Sequence, residues 1–245
     1  MVVTAEDADN NLCINCHQGR ESTVSVNAAI SRAGVGDDEV SEDLSFRNPH
    51  YFAAGATKFG GDVMGGYQYE GMDYTGYFPH ARRTNTCIDC HDAHSLQLDI
   101  ERCGDCHEVD TLEDVQLIRE DDDRDPVDYD GDGNVEEPIK DEISSMQDAL
   151  YAAIQAYASD MGGSIVYNPD AYPYWFDDAG ERFAAWTPRL LRAAYNYTYT
   201  FKDPGVFAHN ADYVLQLLYD STADIGGEDA VAGFNRAPVI NYEED

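Results

Sequence analysis

The sequence predicts a chain in two unlike parts: a mostly irregular N-terminal half with short helices and a predominantly α-helical C-terminal half, with little β-sheet. Three observations lead there. Residues 1–119 show almost no sustained apolar periodicity and contain a glycine- and tyrosine-rich run. From Asp141 onward, apolar residues recur at helical spacing. Between these parts, residues 120–142 form an intensely acidic stretch, so the expected divisions are 1–119, 120–142 and 143–245.

Taken in order, the chain first offers Cys13-Ile-Asn-Cys16-His17. Ser22-Thr-Val-Ser-Val-Asn then reads as a short strand, and Asp37-Asp-Glu-Val-Ser-Glu-Asp as a solvated acidic turn. Pro49, placed as a first helical residue, predicts a short helix running to Phe59 that presents His50 beside aromatic side chains. In the glycine-rich run from Gly60 to His80, Tyr67 and Tyr69 alternate as in a strand. Two further copies of the first pattern follow, Cys87-Ile-Asp-Cys90-His91 and Cys103-Gly-Asp-Cys106-His107. In the second half, Ile143, Met146, Leu150, Ile154, Tyr157 and Met161 mark one face of a helix that stops before Gly162-Gly163. Tyr167 to Phe176 is an irregular aromatic segment. Pro188 starts or kinks a second helix through Leu190, Leu191 and Ala194; Lys202-Asp-Pro-Gly makes a turn; a third helix runs from Asn210 through Leu215, Leu218 and Tyr219. No nucleophile and base stand out as a pair, so no catalytic residue is assigned.

Cys-x-x-Cys-His is the attachment signature of c-type haem, because two thiols three positions apart each bond a vinyl carbon of one porphyrin while the adjacent imidazole takes the iron. All six cysteines fall inside the three copies, which leaves none for a disulfide or a catalytic thiolate. A four-thiolate zinc site at Cys87, Cys90, Cys103 and Cys106 is the competing reading. It leaves Cys13 and Cys16 without a role and gives no reason for a histidine after every pair. The expected attachment residues are therefore Cys13, Cys16, His17, Cys87, Cys90, His91, Cys103, Cys106 and His107, for three haems c. Three porphyrins supply apolar volume that the first half lacks, so this half is expected to wrap haem, its glycines letting backbone and rings approach closely. Folding and haem loading should be coupled.

A closed iron needs a second axial ligand. Outside the motifs stand His50, His80, His94 and His209, one more than three irons require. His50 and His80 lie in aromatic and glycine-rich settings, and His94, three residues past His91, can point to a neighbouring porphyrin. His209 reads equally as a helix-start residue. Met64 and Met72 are the competing sixth ligands and would raise the potential.

The charge sets the partners. Lys and Arg number 15 against 48 Asp and Glu, a formal net charge of −33, which excludes nucleic acid and anionic membrane surfaces. Only Lys58, Lys140 and Lys202 are lysines, a composition that fits either high salt or an acidic secreted surface. There is no apolar run of transmembrane length, and Met1-Val-Val-Thr-Ala-Glu lacks the features of a signal peptide. Haem attachment outside the cytoplasmic membrane nonetheless implies export, hence a secreted, extracellular or cell-surface protein. Carboxylates around the haems should favour the oxidised form.

In the acidic stretch, Asp128, Asp130, Asp132, Gly133 and Asn134 take positions 1, 3, 5, 6 and 7 of an EF-hand-like calcium loop, because carboxylates on alternate residues can curl around one hard cation. Ile139 stands where the bidentate glutamate belongs, so Glu137 or Glu142 would have to close the shell. One calcium ion is expected; a solvated acidic linker is the alternative.

Asn48-Pro-His-Tyr-Phe-Ala-Ala-Gly-Ala-Thr, Cys87-Ile-Asp-Cys-His-Asp-Ala-His94, Asp128-Tyr-Asp-Gly-Asp-Gly-Asn, Trp186-Thr-Pro-Arg-Leu-Leu-Arg-Ala-Ala-Tyr-Asn-Tyr and Lys202-Asp-Pro-Gly-Val-Phe-Ala-His-Asn210 occur in this order. With them, the chain resembles secreted prokaryotic multihaem c-type cytochromes. The resemblance spans residues 10–222 and implies electron transfer. Some such cytochromes polymerise into extracellular filaments, sometimes with a histidine from one subunit ligating a haem in the next. It therefore implies a head-to-tail homo-oligomer that passes electrons from a redox protein to an extracellular acceptor. The rivals are a monomeric redox shuttle and a multihaem reductase, the latter needing an open iron near Arg82 and Arg83.

Overall fold

A computed structural model of the chain describes residues 8–80, 84–119 and 125–242. Arg82 and Arg83, Met1 to Glu6, and Glu120 to Arg124 of the acidic stretch lie outside the described residues.

Ten α-helices and one two-stranded sheet make up the regular structure of the described residues. The six short N-terminal helices are α1 (Ala8–His17), α2 (Thr23–Ala33), α3 (Ala54–Phe59), α4 (Cys87–Cys90), α5 (Ile100–Gly104) and α6 (Leu112–Val115), joined by irregular chain. The second half is built on α7 (Ile139–Asp160), α8 (Pro188–Phe201) and α10 (Ala211–Gly226), with one-turn α9 (Val206–His209) between the last two. Between α7 and α8, β1 (Val166–Tyr167) and β2 (Trp175–Phe176) pair antiparallel, with Tyr167 opposite Trp175.

Each long helix follows from its sequence. The α7 stripe of Ile143, Met146, Leu150 and Ile154 is wholly buried. It faces Leu190 and Leu191 of α8 and Leu215, Leu217 and Leu218 of α10 across the main core, each such side chain contributing about 1.5–3 kcal/mol by leaving water. Pro188 occupies the first turn of α8, where its missing N–H costs nothing, and the Thr187 hydroxyl accepts from Leu190 N at 3.2 Å. Asn210 caps α10 by accepting from Tyr213 N at 3.1 Å.

Four expectations for the first half need correction or refinement. Ser22 to Asn27 is helix, not strand. Val24 and Val26 alternate in sequence, but Ser22 takes the extended cap conformation, the Ser25 hydroxyl accepts from Ser22 N at 2.8 Å, and Gly34 closes the helix with φ 66°. Pro49 does not open a helix: α3 begins at Ala54, and His50 sits in the left-handed region at φ 77°. The acidic turn is largely exposed, as expected, but it is also tied to α8, since Asp37 pairs with Arg192 at 3.0 Å and Asp38 with Arg189 at 2.7 Å. Those guanidinium groups hold both carboxyls below the usual carboxylate range.

The fourth concerns the glycine-rich run. Tyr67 and Tyr69 form no strand; the run lies across α8 and α10, and all its glycines but Gly71 face protein. A Cβ at Gly66 would stand 2.3 Å from a Leu217 methyl, and one at Gly65 2.8 Å from the Tyr199 hydroxyl. Buried side chains replace the missing strand partner. Asn196 accepts from Tyr67 N at 2.6 Å and donates to Tyr67 O at 2.9 Å. Gln216 accepts from Thr75 N at 2.8 Å, the Tyr213 hydroxyl accepts from Gly66 N at 3.0 Å, and the Tyr195 hydroxyl donates to Gly65 O at 2.7 Å. An irregular segment is thereby fixed with its buried backbone paired.

Candidate haem-binding site

The three Cys-x-x-Cys-His motifs fall on the end of α1, on α4 with His91 as its C-cap, and across α5 and the residues after it. Local chemistry makes these short helices. At α4 the Asp89 carboxylate accepts from Thr86 N at 2.8 Å and Asn85 N at 3.1 Å, closing a capping box around the first turn. Asn10 of α1 accepts from Cys87 N at 2.8 Å and ties the first motif to the second. Arg102, inside α5, pairs with Asp89 at 3.2 Å and ties the second to the third.

Cysteines of successive motifs consequently come close, Cys13 to Cys87 and Cys90 to Cys103. The Cys87 thiol is pushed up to about 11 by burial and by Cys13 beside it, and Cys90 is raised by burial and by its neighbour Cys103. Burial raises Cys103 as well. These are protonated thiols, the reverse of an activated nucleophile. Among the described residues, no converging set of metal-ligating groups contains a cysteine, so the sulfurs of Cys87, Cys90, Cys103 and Cys106 do not gather as a zinc site requires.

Two pairs of imidazoles stand close together, their planes tilted by 35° and 52°. The His91 and His209 rings are 6.4 Å apart, centre to centre, and those of His80 and His107 6.3 Å apart. One metal ion between two imidazoles, with a metal–nitrogen bond of about 2 Å and a ring radius of about 1 Å on each side, puts ring centres about 6 Å apart. One partner of each pair ends a Cys-x-x-Cys-His motif; the other comes from a distant part of the chain.

Both members of the first pair are held from behind. The Leu96 carbonyl lies by the His91 ring and favours its protonated form; Leu96 is in the left-handed region at φ 61°, where the loop after His91 turns back on itself. Burial, with the His209 imidazole close by, depresses His91. His209 is the last residue of α9, not a helix start, and its Nδ1 lies 2.8 Å from both oxygens of the Asp203 carboxylate. Burial pulls His209 down, but the charge and hydrogen bond of Asp203 outweigh it and the imidazole is raised. In the second pair, His80 is another left-handed residue, φ 58°, braced edge-on by Phe78 at 5.8 Å. His107 lines a hollow of about 230 Å³ with Val109, Leu117 and Ile118.

The remaining histidines are placed differently. His17 has a buried Nδ1 with no hydrogen-bond partner. His50 is exposed, its ring 4.4 Å from Tyr51, and the neighbouring Pro49 carbonyl accepts from Arg20 N at 3.0 Å, just after His17. His94 is exposed on the loop after His91, its N–H held by Asp92 at 3.1 Å. Met64 and Met72 are exposed.

These residues fit a c-type haem at each motif. Every motif offers two thiols and an imidazole, two of the three have an opposing imidazole at bridging distance, and apolar Leu12, Ile88, Leu96, Leu112 and Leu117 stand exposed near them in the chain. Sequence reasoning overlooked Asp203 and Gly205, which set the His209 ring. Their signal was an Asp-Pro-Gly turn one helical turn before a histidine. It also overlooked Lys58, which donates to the Phe78 carbonyl at 2.8 Å and which burial beside Cys87 and Cys90 brings down to about 8.

From Asp128 to Asn134 the acidic stretch is folded on itself, not a loose linker. The Asp128 carboxylate accepts from Gly131 N at 2.6 Å and Gly133 N at 2.8 Å, and Asp132 accepts from Asn134 N at 2.7 Å. Two sets of ligand atoms each converge within 4.8 Å: Asp128, Asp130 and Glu142, and Asp130, Asp132 and Glu137. Glu142 is fully buried and already engaged, by Arg119 at 2.6 Å and by Tyr129 N and Asp130 N at 2.8 and 2.9 Å. Glu137 keeps a buried carboxylate oxygen without a partner and is pushed up to about 7 by burial and by the charges of Asp130 and Asp132.

Comparison with known proteins agrees at a coarse level. The chain is similar to the C-type polyheme cytochrome OmcB of two strains of Geobacter sulfurreducens, 23% identical over 252 residues covering 87% of this chain and 30% of that protein. It is also 22% identical over 250 residues to the C-type polyheme cytochrome OmcC, covering 86% of this chain and 29% of that one. The chain thus spans less than a third of the length of these relatives. No family model and no solved structure matches it. What the comparisons support is distant homology to multihaem c-type cytochromes of Geobacter.

Proposed function

We propose that the chain is an electron-transfer protein in which residues 1–119 carry three covalent haems c, residues 120–142 bind one calcium ion, and residues 143–245 support the haem region. The observation that carries this reading is the two close imidazole pairs, 6.4 and 6.3 Å between ring centres, each with one ring from an attachment motif. A bound haem supplies a one-electron iron couple. The chain supplies the rest. Cys13, Cys16, Cys87, Cys90, Cys103 and Cys106 would bond the porphyrins, and the nearness of Cys13 to Cys87 and of Cys90 to Cys103 would set the three sites close together. His91 with His209, and His107 with His80, would hold the iron at two of the sites and leave no open position for a substrate, which favours electron carriage over a reductase. His17 would take its second ligand from one of the two exposed histidines left outside these pairs, His50 or His94.

That last choice decides assembly. Delivered by the next copy, the exposed histidine would make head-to-tail filament growth part of completing the Cys13/Cys16 site. Delivered by the same chain, it would leave a monomeric shuttle, a reading favoured by the Arg20–Pro49 backbone bond that keeps His50 beside the first motif. The carrier would act outside the cell, between a redox protein and an extracellular acceptor. In the acidic loop, Asp128, Asp130, Asp132, the Asn134 carbonyl and Glu137 would hold calcium, with Glu142 bracing the loop from below.

Mass spectrometry of the holoprotein should find three haems bound through the six cysteines, and its ferric spectrum should be low-spin throughout. Fewer haems, or a site open to cyanide in the native protein, would overturn the reading. Cryo-electron microscopy at high salt with calcium should show filaments in which His50 or His94 crosses the subunit boundary; monodisperse particles at every concentration would leave the shuttle.

A further inference from the structure

Gly205 has no room for a side chain. A Cβ there would stand 2.8 Å from Cε1 of the His209 ring and 3.2 Å from its Nδ1. The ring is therefore laid flat over the glycine by the turn Asp203-Pro204-Gly205 and the single helical turn of α9, with His209 N donating to Gly205 O at 2.9 Å. The same turn holds the Asp203 side chain, which is 1% exposed and accepts from Gly205 N at 3.1 Å as well as from the imidazole. With both its oxygens 2.8 Å from Nδ1, the carboxylate takes the Nδ1 proton as its hydrogen bond and leaves Nε2 as the free nitrogen. A free Nε2 is the nitrogen an iron held between His209 and His91, 6.4 Å away ring to ring, would require. Among the described residues, the ring of His91 has no charged partner comparable to Asp203, with only the neutral Leu96 carbonyl nearby. Lys58 lies near the same histidine with charge of the opposite sign, but its ammonium is bound to the Phe78 carbonyl and not to the ring.

We infer that Asp203 is a positioning and potential-setting residue for the Cys87/Cys90 haem: its buried carboxylate fixes the orientation of His209 and, through the Nδ1 hydrogen bond, makes that imidazole a stronger donor, so that the oxidised state of this one haem is favoured. The inference rests on the haem reading proposed above. Its physical basis is that an anionic acceptor on the outer nitrogen of a ligating imidazole raises ligand basicity, and removal of such partners changes affinity or activity by about 10–100-fold. Only an electron is exchanged in the change of oxidation state considered; the Nδ1 proton stays on His209 in both.

The test is the Asp203→Asn holoprotein, which keeps the side-chain shape and removes the charge. Haem content and covalent attachment are measured first, and their loss in the unmutated protein would sink the haem reading itself. Given three haems, redox titration of Asp203→Asn should move one of three components toward the reduced form by about tenfold or more in its oxidised-to-reduced ratio, about 59 mV for one electron, with the other two unmoved. The variant should stay low-spin. An unchanged set of three components, or an equal displacement of all three, overturns the inference. Where Asp203→Asn fails to fold, electron paramagnetic resonance of the unmutated ferric protein decides. One of its three low-spin signals should carry the signature of a strongly hydrogen-bonded, imidazolate-like ligand, and three signals typical of neutral imidazoles would reject the assignment.

Discussion

Removing a ligand from one imidazole pair gives the sharpest reading of the site. On the proposed assignment His209 and His80 serve different motifs, so replacing either should open one iron of three. In His209→Gly holoprotein, about one third of the haem should turn high-spin and bind one cyanide per chain. His80→Gly should do the same at the Cys103/Cys106 site, and the double variant should reach about two thirds, because the two pairs share no histidine and additivity holds for independent sites. The fractions follow from the pairing alone, 6.4 Å for His91 with His209 and 6.3 Å for His80 with His107. Glycine leaves a ring-sized space, so imidazole added to the solution should refill it and restore the low-spin spectrum. The assay is ferric absorption and electron paramagnetic resonance, with cyanide titration to count open irons. Retention of full low-spin character in His209→Gly without added imidazole, or an opened fraction in the double variant no larger than in either single one, would refute the pairing.

Other expectations concern stability. Asn196→Leu strands the Tyr67 N–H and C=O inside the protein, which at about 1–3 kcal/mol for each group costs about 2–6 kcal/mol; calorimetry should show Tm lower by at least about 4 °C. Arg119→Met leaves the fully buried Glu142 carboxylate without its cation, a loss of about 3–5 kcal/mol, and a melt within 1 °C of the parent, on the order of measurement error, would show the pair to be idle. Glu137 in the metal-free loop is raised from 4.5 to about 7. The folded form then binds more protons than the unfolded one between those values, so the metal-free protein should lose stability as pH rises from 4.5 to 7. Calcium offsets that loss and must displace the proton to bind. The difference in Tm between calcium-loaded and chelated protein should therefore be larger at pH 7.5 than at pH 5, and an equal difference at both would contradict it.

The long helices were legible because a repeated apolar stripe, a proline in the first turn and an Asn cap all act within one helix, where sequence spacing is spatial spacing. The same logic failed at Ser22 to Asn27. There the alternating Val24 and Val26 suggested a strand, while the deciding signals were a serine before the run and Gly34 after it. The Tyr67 and Tyr69 alternation misled for a different reason: the partners that satisfy its backbone are side chains of Asn196, Gln216 and Tyr213, and nothing in the run itself shows that they exist. The Asp128 loop was readable because its carboxylates bond backbone groups two to five residues on. The engagement of Glu142 by Arg119 was not, because it joins residues from either side of that loop.

The attachment motifs and their opposing imidazoles differ in the same way, and this bears on how the holoprotein would form. A Cys-x-x-Cys-His motif is local, and its thiols and proximal histidine are available on an unfolded chain. The opposing ring of the second site is not local. His209 reaches His91 only after α9 has docked against α3 and α10, with Ala53 N donating to Lys202 O at 2.8 Å and the Asp203 turn closed beneath the ring. On the proposed assignment, the C-terminal half is then more than a scaffold, because it contributes the second axial ligand and the buried carboxylate behind it. Covalent attachment would precede folding and six-coordination would report it. Unfolding by denaturant should convert the Cys87/Cys90 haem to a form that has lost His209 while every thioether remains. The loss of its low-spin signal should coincide with the melting of α7, α8 and α10, and a signal that persists through the helical transition would show that His209 is not the ligand that closes this site.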